Sequence, residues 1–423
     1  MHLSTSGNAI KALTFFGLLS LTAISHAEGL QPGDLVGICG DSITEQKKYS
    51  VDMADYFLMC QPQPKLTSIQ FGWSGERAPG FQNRMLNDAL VFKPTVVTTC
   101  YGMNDGGYTA STPAIIDTYR QSMTAIVKTF KESGVRFIVV GTPGAVDSFY
   151  YKKAPSAPIY NQTLADLSKA AKEVAEQAGV GFADVHGAMI EAMTKAKAAN
   201  GEAYSVGGMD GVHPGEAGHL VMAYAFLKGL GCDGAIATID VDLQAKTATG
   251  TEGTKVVSFD NGTVKIESTR YPFCFYGDAK DAAGTRSMLP FLPFNQDLNR
   301  YLLVVKNAPA KSLKVTWGKE SKTFTSESLE KGVNLAAEFL DNPFSEPFKA
   351  VQEKIQAQQA AETIFSKQML HSLPDWIKAI PEMKDTFDQL PPKIQSKWEA
   401  LRDASSAAVV PVNHEIKIEA ETK

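Results

Sequence analysis

The sequence predicts an α/β protein: a doubly wound parallel sheet with a small β appendage and a helical C-terminal tail. Three observations predict it. From Asp34 to Gly231, short β-branched apolar runs alternate with longer helix-forming segments, the texture of linked βαβ units. After Gly231 the pattern changes to brief alternating stretches separated by turn residues. From about Asn334 the chain is rich in Ala, Gln, Lys and Glu, with breaks at Pro343, Pro374 and Pro391-Pro392.

Taken in order, Lys11 precedes the apolar run Ala12 to Ile24, and Ser25-His26-Ala27 places small residues where a signal peptidase cuts. The run is too short to span a bilayer, so residues 1–27 read as a cleaved export signal and the mature chain as secreted or periplasmic. No later stretch reads as a membrane segment. The catalytic unit is placed at 28–232. Its first strand is Asp34 to Cys39, nearly continuous in apolar residues and so buried on both faces. Gly40 lets the chain turn, and Asp41 or Ser42 can cap the helix that follows; Tyr49 to Met59 reads as helical. Further strands are expected at Leu66–Phe71, Thr95–Cys100, Phe137–Val140 and Phe182–Val185. A long helix carries Ile115, Tyr119, Met123, Ile126 and Phe130 on one face. Other helices are expected over Ala157–Gln177 and Ala188–Ala199. The last one follows Pro214 and ends near Gly229. Residues 233–333 form the β appendage, with a hairpin signal at Asn261-Gly262 and another around Gly318. Residues 334–423 form the helical region, and the end from Val409 is expected to be loosely held.

Composition limits the function. The chain has 423 residues, 44% hydrophobic and 21% charged, so it is globular and long enough for two or three domains. A net charge of −5 gives no reason to expect nucleic acid as a partner. The five cysteines are odd in number and include no Cys-x-x-Cys. Cys39 and Cys100, each ending a strand, read as small buried apolar residues rather than as a bridge.

Acyl transfer by serine needs a nucleophile, a base, an orienter for that base and donors for an oxyanion. Each is present at a strand end or in a loop. Ser42 follows the first strand. Gly75, in Gly72-Trp73-Ser74-Gly75, follows the second and offers a backbone N–H. Asn104, in Tyr101-Gly102-Met103-Asn104-Asp105, follows the third and offers a neutral amide. Asp210 and His213 sit together before the last helix, where Pro214 keeps His213 extended. His213, Glu216 and His219 also suggest a metal site, but the six-residue spacing of the histidines suits one helix face poorly, and no metal is assigned. His186 reads as a hydrogen-bonded structural residue. Trp73, Tyr101 and Tyr108 read equally as packing residues or as a stacking surface, and Arg77 as a substrate contact or a solvated charge. The appendage has no histidine and is expected to supply no catalytic group.

Over about residues 34–231 these blocks resemble the GDSL-type serine hydrolases of the SGNH superfamily. The resemblance implies a flavodoxin-like sheet of strand order 2-1-3-4-5, a triad of Ser42, His213 and Asp210, and an oxyanion hole from Ser42, Gly75 and Asn104. It implies no cofactor. Export together with an added β region favours deacetylation of carbohydrate, with a small-molecule or polysaccharide ester as partner. A lipase or lysophospholipase, or a non-catalytic polysaccharide-binding protein on the same scaffold, stands as the alternative. Oligomeric state is left open.

Overall fold

The computed structural model describes His2 and residues 29–421. The expected export signal at 1–27 lies outside the described residues apart from His2. Five strands, β1 (Leu35–Gly40), β2 (Thr67–Gly72), β3 (Val96–Cys100), β4 (Phe137–Gly141) and β5 (Gly181–Ala183), form one sheet in the order β2-β1-β3-β4-β5. Every pairing in it is parallel. The register sets Gly40 beside both Gly72 and Cys100, and Cys100 beside Gly141. The segments that follow these strands therefore emerge side by side along one edge, where open α/β sheets bind ligands.

Helices cover both faces. On one, α2 (Tyr49–Asp55), α6 (Val185–Asn200) and α7 (Glu216–Gly229) pack over Val36, Ile38, Val96 and Val139. On the other, α3 (Ala78–Asp88), α4 (Pro113–Glu132) and α5 (Ala157–Ala178) pack over Ile69, Phe71, Val97 and Ile138. Strand alternation sends Cys39 and Cys100 into these two different cores, which explains why both are free thiols. The helix expected to Met59 changes character early: α2 ends at Asp55, and a π-helical turn spans Tyr56–Cys60.

The β appendage comprises two sheets. One has the order β13-β10-β6-β7, from β6 (Ala235–Asp242), β7 (Thr247–Gly250), β10 (Arg300–Lys306) and β13 (Val333–Asn334). The other contains β8 (Thr254–Asp260), β9 (Thr263–Ser268), β11 (Ser312–Trp317) and β12 (Glu320–Thr325). Asn261 and Gly262 both have positive φ, 47° and 77°, as a two-residue β8–β9 hairpin requires. The chain end corrects the expectation. Val412–Ala420 is a strand, β14, held between β11 and β9 in the order β12-β11-β14-β9-β8. Its residues alternate: Val412, His414, Ile416 and Ile418 are buried, while Asn413, Glu415 and Lys417 are exposed. That alternation pins the strand despite its terminal position.

The helical tail caps an edge. β2 is the outer strand of the parallel sheet, and its unpaired backbone groups face the helix Ser345–Thr363. Gln358 Nε2 donates to the Ser68 carbonyl at 3.2 Å, and the Gln70 N–H donates to Glu362 Oε2 at 2.9 Å. Gln359 holds α2 in the same way, accepting from Ser50 Oγ at 2.6 Å and donating to the Ser50 carbonyl at 3.0 Å. Glu362 Oε1 also accepts from Gln358 Nε2 (2.8 Å) and Trp398 Nε1 (3.0 Å). Burial raises the Glu362 carboxyl to about 7, although all three donors favour its charged form. Glu362→Gln sets an amide NH₂ against one of these N–H donors. It is expected to lower stability by about 1–3 kcal/mol, the cost of a buried unpaired donor. Denaturant unfolding of the full chain measures this, and an unchanged midpoint would refute the edge-capping role.

Candidate active site

Ser42 opens a single helical turn, α1 (Ser42–Glu45), directly after β1. Asp41 is its N-cap, with Oδ1 accepting the Ile43 N–H at 2.9 Å. As the first residue of the turn, Ser42 has no helical acceptor for its own N–H. Gly72, at the end of β2, lies so close to this turn that an added Cβ would sit 2.2 Å from the Glu45 nitrogen. That contact sets the Trp73 loop beside Ser42, and the Trp73 N–H donates to the Gly40 carbonyl at 3.0 Å. Gly75 follows with φ +73°, and no described residue accepts its N–H.

The loop after β3 is tied to both neighbours. Asp105 Oδ1 accepts the Ala78 N–H at 2.8 Å and its Oδ2 accepts the Gly102 N–H at 3.0 Å. Asn104 Nδ2 donates to the Glu76 carbonyl at 3.0 Å and makes a longer 3.4 Å contact with Asp41 Oδ2. Tyr108 O–H donates to Asn104 Oδ1 at 3.2 Å and so fixes which way the amide faces. The blocks that hold Ser42, Gly75 and Asn104 are thereby fastened together. Burial raises the carboxyls beneath them, Asp41 to about 7 and Asp105 to about 6. Backbone N–H groups oppose this at both, while Asp105 and Glu76 add to it at Asp41. Arg84 is the buried counter-charge, with Nε 2.6 Å from Glu76 Oε1.

Asp210 and His213 come from the loop before α7. Asp210 Oδ1 accepts the Val212 and His213 N–H groups, both at 2.9 Å, and Oδ2 faces His213 Nδ1 at 2.7 Å. His213 Nε2 lies 2.9 Å from Ser42 Oγ across the sheet edge. Burial pushes the Asp210 carboxyl up, but the bonds from His213 and Val212 outweigh it and hold the carboxyl below its usual range. The loop is held from behind. Gly211, with φ +75°, passes so near the 147–151 segment that a Cβ would fall 2.3 Å from the Tyr151 nitrogen. Its carbonyl accepts the Asp147 N–H at 2.8 Å, and Asp147 pairs with the buried Lys197 at 2.9 Å.

The other candidates sort themselves. His219 is fully buried, with Nδ1 accepting the Tyr49 N–H at 3.2 Å and Nε2 facing Gln46 Oε1 at 2.8 Å. His186 Nδ1 faces the Gly144 carbonyl at 2.9 Å. Tyr101 is buried and bonds Glu76 Oε2 at 2.9 Å, so it packs. Trp73 is enclosed by Arg84, Lys367 and His371, each within 5 Å of its ring centre. Sequence reasoning missed Tyr108 as orienter of Asn104, and it missed the tail residues Lys367 and His371. No local pattern marks either tail residue.

Two depressions flank the site. One of about 810 Å³ includes His213, Lys48, Tyr150, Tyr204 and, from the appendage, Lys280. The other, about 710 Å³, includes Gly75, Trp73, Arg77 and, from the tail, His371. Among the described residues no helix is long and apolar enough to cross a membrane.

Comparison with known proteins bears on the fold and the family. The model of the GDSL-like Lipase/Acylhydrolase family matches residues 38–221. An acetylxylan esterase from Geobacillus stearothermophilus is 26% identical over 176 residues, 40% of this chain and 74% of that protein. Among solved structures, a gut microbial diltiazem-metabolizing enzyme shares the fold with a TM-score of 0.71 at 19% identity. The match covers 94% of this chain and all of the other, accessory sheets included. A parallel sheet in the order 2-1-3-4-5, the Gly-Asp-Ser block after its first strand and the family match over the same residues identify residues 38–221 as a GDSL-like lipase/acylhydrolase domain.

Proposed function

We propose that the protein is an exported serine esterase that removes acetyl groups from carbohydrate. One observation carries the reading: Ser42 Oγ, His213 Nε2 and Asp210 lie in hydrogen-bonded series, at 2.9 Å and 2.7 Å, on the ligand-binding edge of the sheet. With Nδ1–H directed at Asp210, Nε2 is free to accept the serine proton. Ser42 Oγ then bonds the acyl carbon, and the negative charge moves to the carbonyl oxygen. The N–H groups of Ser42 and Gly75 and the Asn104 amide receive that charge. Of the two Asn104 Nδ2 hydrogens, the one in long contact with Asp41 is the one available to it. Collapse expels the alcohol, which takes the proton from His213. Water, deprotonated by the same nitrogen, bonds the acyl carbon; the bond to Ser42 Oγ breaks, acetate leaves, and Oγ takes the proton back from His213.

The acetyl and carbohydrate parts are supported by the likeness to an acetylxylan esterase. The depression beside His213 has Lys48, Asn200, Glu216 and Lys280 among its lining residues, which offer hydrogen-bonding groups to a hydroxyl-rich ligand. Rates on 4-nitrophenyl acetate, longer-chain esters and acetylated xylan, compared side by side, test the reading; a preference for long chains would overturn it.

Asn104→Ala is expected to lower kcat by about 10²–10³ and leave KM within a few-fold, since its contact strengthens only as charge develops. Ser42→Ala removes the covalent route and costs more. Turnover per folded molecule measures both, and wild-type turnover by Asn104→Ala would remove it from the oxyanion hole. Tyr108→Phe keeps the ring but frees the Asn104 amide. It is expected to lower kcat roughly 2- to 10-fold with KM unchanged, the scale of one neutral hydrogen bond. An unaltered kcat would show that Asn104 is held without it.

A further inference from the structure

Three basic side chains in or beside the depression near Gly75 face carboxylates. Arg84 bonds Glu76 through Nε (2.6 Å) and Nη2 (2.8 Å). His371 Nδ1 lies 2.8 Å from Asp88 Oδ2, and Lys367 Nζ lies 2.8 Å from Glu45 Oε1. Arg77 differs. It is exposed, it stands two residues from Gly75, and no described carboxylate lies within 4 Å of its guanidinium. Its charge is felt at Asp105, whose two oxygens are already engaged by the Ala78 and Gly102 N–H groups. Asn83, on the same wall, has a side-chain amide with no partner among the described residues. The depression therefore presents one unmatched guanidinium and one free amide at the rim of the candidate oxyanion hole. The enclosed Trp73 ring forms its wall.

We propose that this depression binds an acidic sugar unit of the substrate, its carboxylate paired with Arg77 and a hydroxyl with Asn83. The inference rests on the carbohydrate-ester reading and narrows it to saccharides bearing a uronate. A planar guanidinium matches a carboxylate in two parallel hydrogen bonds, which an ammonium cannot do. The volume, about 710 Å³, is large enough for a sugar unit.

The test compares two acetylated oligosaccharides of equal length, one neutral and one carrying a uronate. The wild-type protein is expected to favour the acidic one roughly 10-fold or more in kcat/KM, mainly through KM, with the preference shrinking as salt rises. Arg77→Gln should bring the two near parity, and Arg77→Lys should keep only part of the preference. Equal rates in the wild type, or a preference that survives in Arg77→Gln, would overturn the proposal. A calorimetric titration of the unacetylated acidic oligosaccharide into Ser42→Ala, with and without Arg77→Gln, reads the site without turnover. Arg77-dependent binding with neither saccharide deacetylated would fault the ester reading and uphold the site. Deacetylation of the neutral saccharide without any uronate effect would fault the site alone, and neither binding nor turnover would overturn both.

Discussion

The hydrogen bond from His213 Nδ1–H to Asp210 is the contact on which the candidate chemistry depends, because it decides which ring nitrogen carries the proton. The protein holds a second Ser–His pair, this one buried, that shows why. His414 Nε2 lies 3.0 Å from Ser268 Oγ, almost the Ser42–His213 distance. There, however, Nδ1 accepts the Trp317 indole N–H at 3.2 Å, so the proton stays on Nε2, which faces the serine and, at 3.2 Å, the Tyr301 hydroxyl. Burial drives the His414 pKa down to about 4, so the ring remains neutral. One pair has a base facing the hydroxyl and the other has a donor facing it. The difference lies in the group behind the ring, an aspartate in one case and a tryptophan in the other.

Holding that geometry places charge where charge is costly. Asp41 and Asp105 are carboxyls raised to about 7 and about 6 because burial disfavours their ionised forms. Both are kept because their oxygens satisfy backbone N–H groups that otherwise have no partner. Asp41 caps the turn that presents Ser42, and Asp105 locks the Gly102 loop to the start of α3. Perturbed carboxyls gathered under one rim fit a working site better than a purely structural one.

Much of this was legible in the chain because strand ends are legible. Ser42, Gly75 and Asn104 each follow a short β-branched run, and parallel register then forces them together. Asp210 and His213 were readable because their bond spans three residues. What escaped depends on distance or on context. Gln70 and Glu362 are 292 positions apart, and no local pattern joins them. Tyr108, in a loop at φ 54°, bonds the Asn104 amide oxygen, and no local pattern marks that contact. β14 is a different failure. The alternation of Val412, His414, Ile416 and Ile418 was visible, but a chain end was expected to fray, and period outweighs position once a partner strand waits on each side.

The accessory parts are woven into the catalytic sheet. The tail leaves β13 of one accessory sheet, covers the free edge of β2 with the helix Ser345–Thr363, and returns as the strand β14 in the middle of the other. A chain cut after Gly231 would leave the Ser68 carbonyl and the Gln70 N–H of an edge strand without their partners, and such an edge invites pairing with another molecule. It would also remove His371 from one depression, Lys367 from over the Trp73 ring, and Lys280 from the other depression. Loss of activity in such a fragment would therefore say little about chemistry. The same weaving accounts for where recognition can vary. The sheet edge supplies Ser42, Asn104 and His213 from β1, β3 and the approach to α7, while both flanking walls borrow residues from outside that unit. Changes in the tail or in the 280–283 loop can then reshape what the site accepts without moving the groups that would perform the reaction.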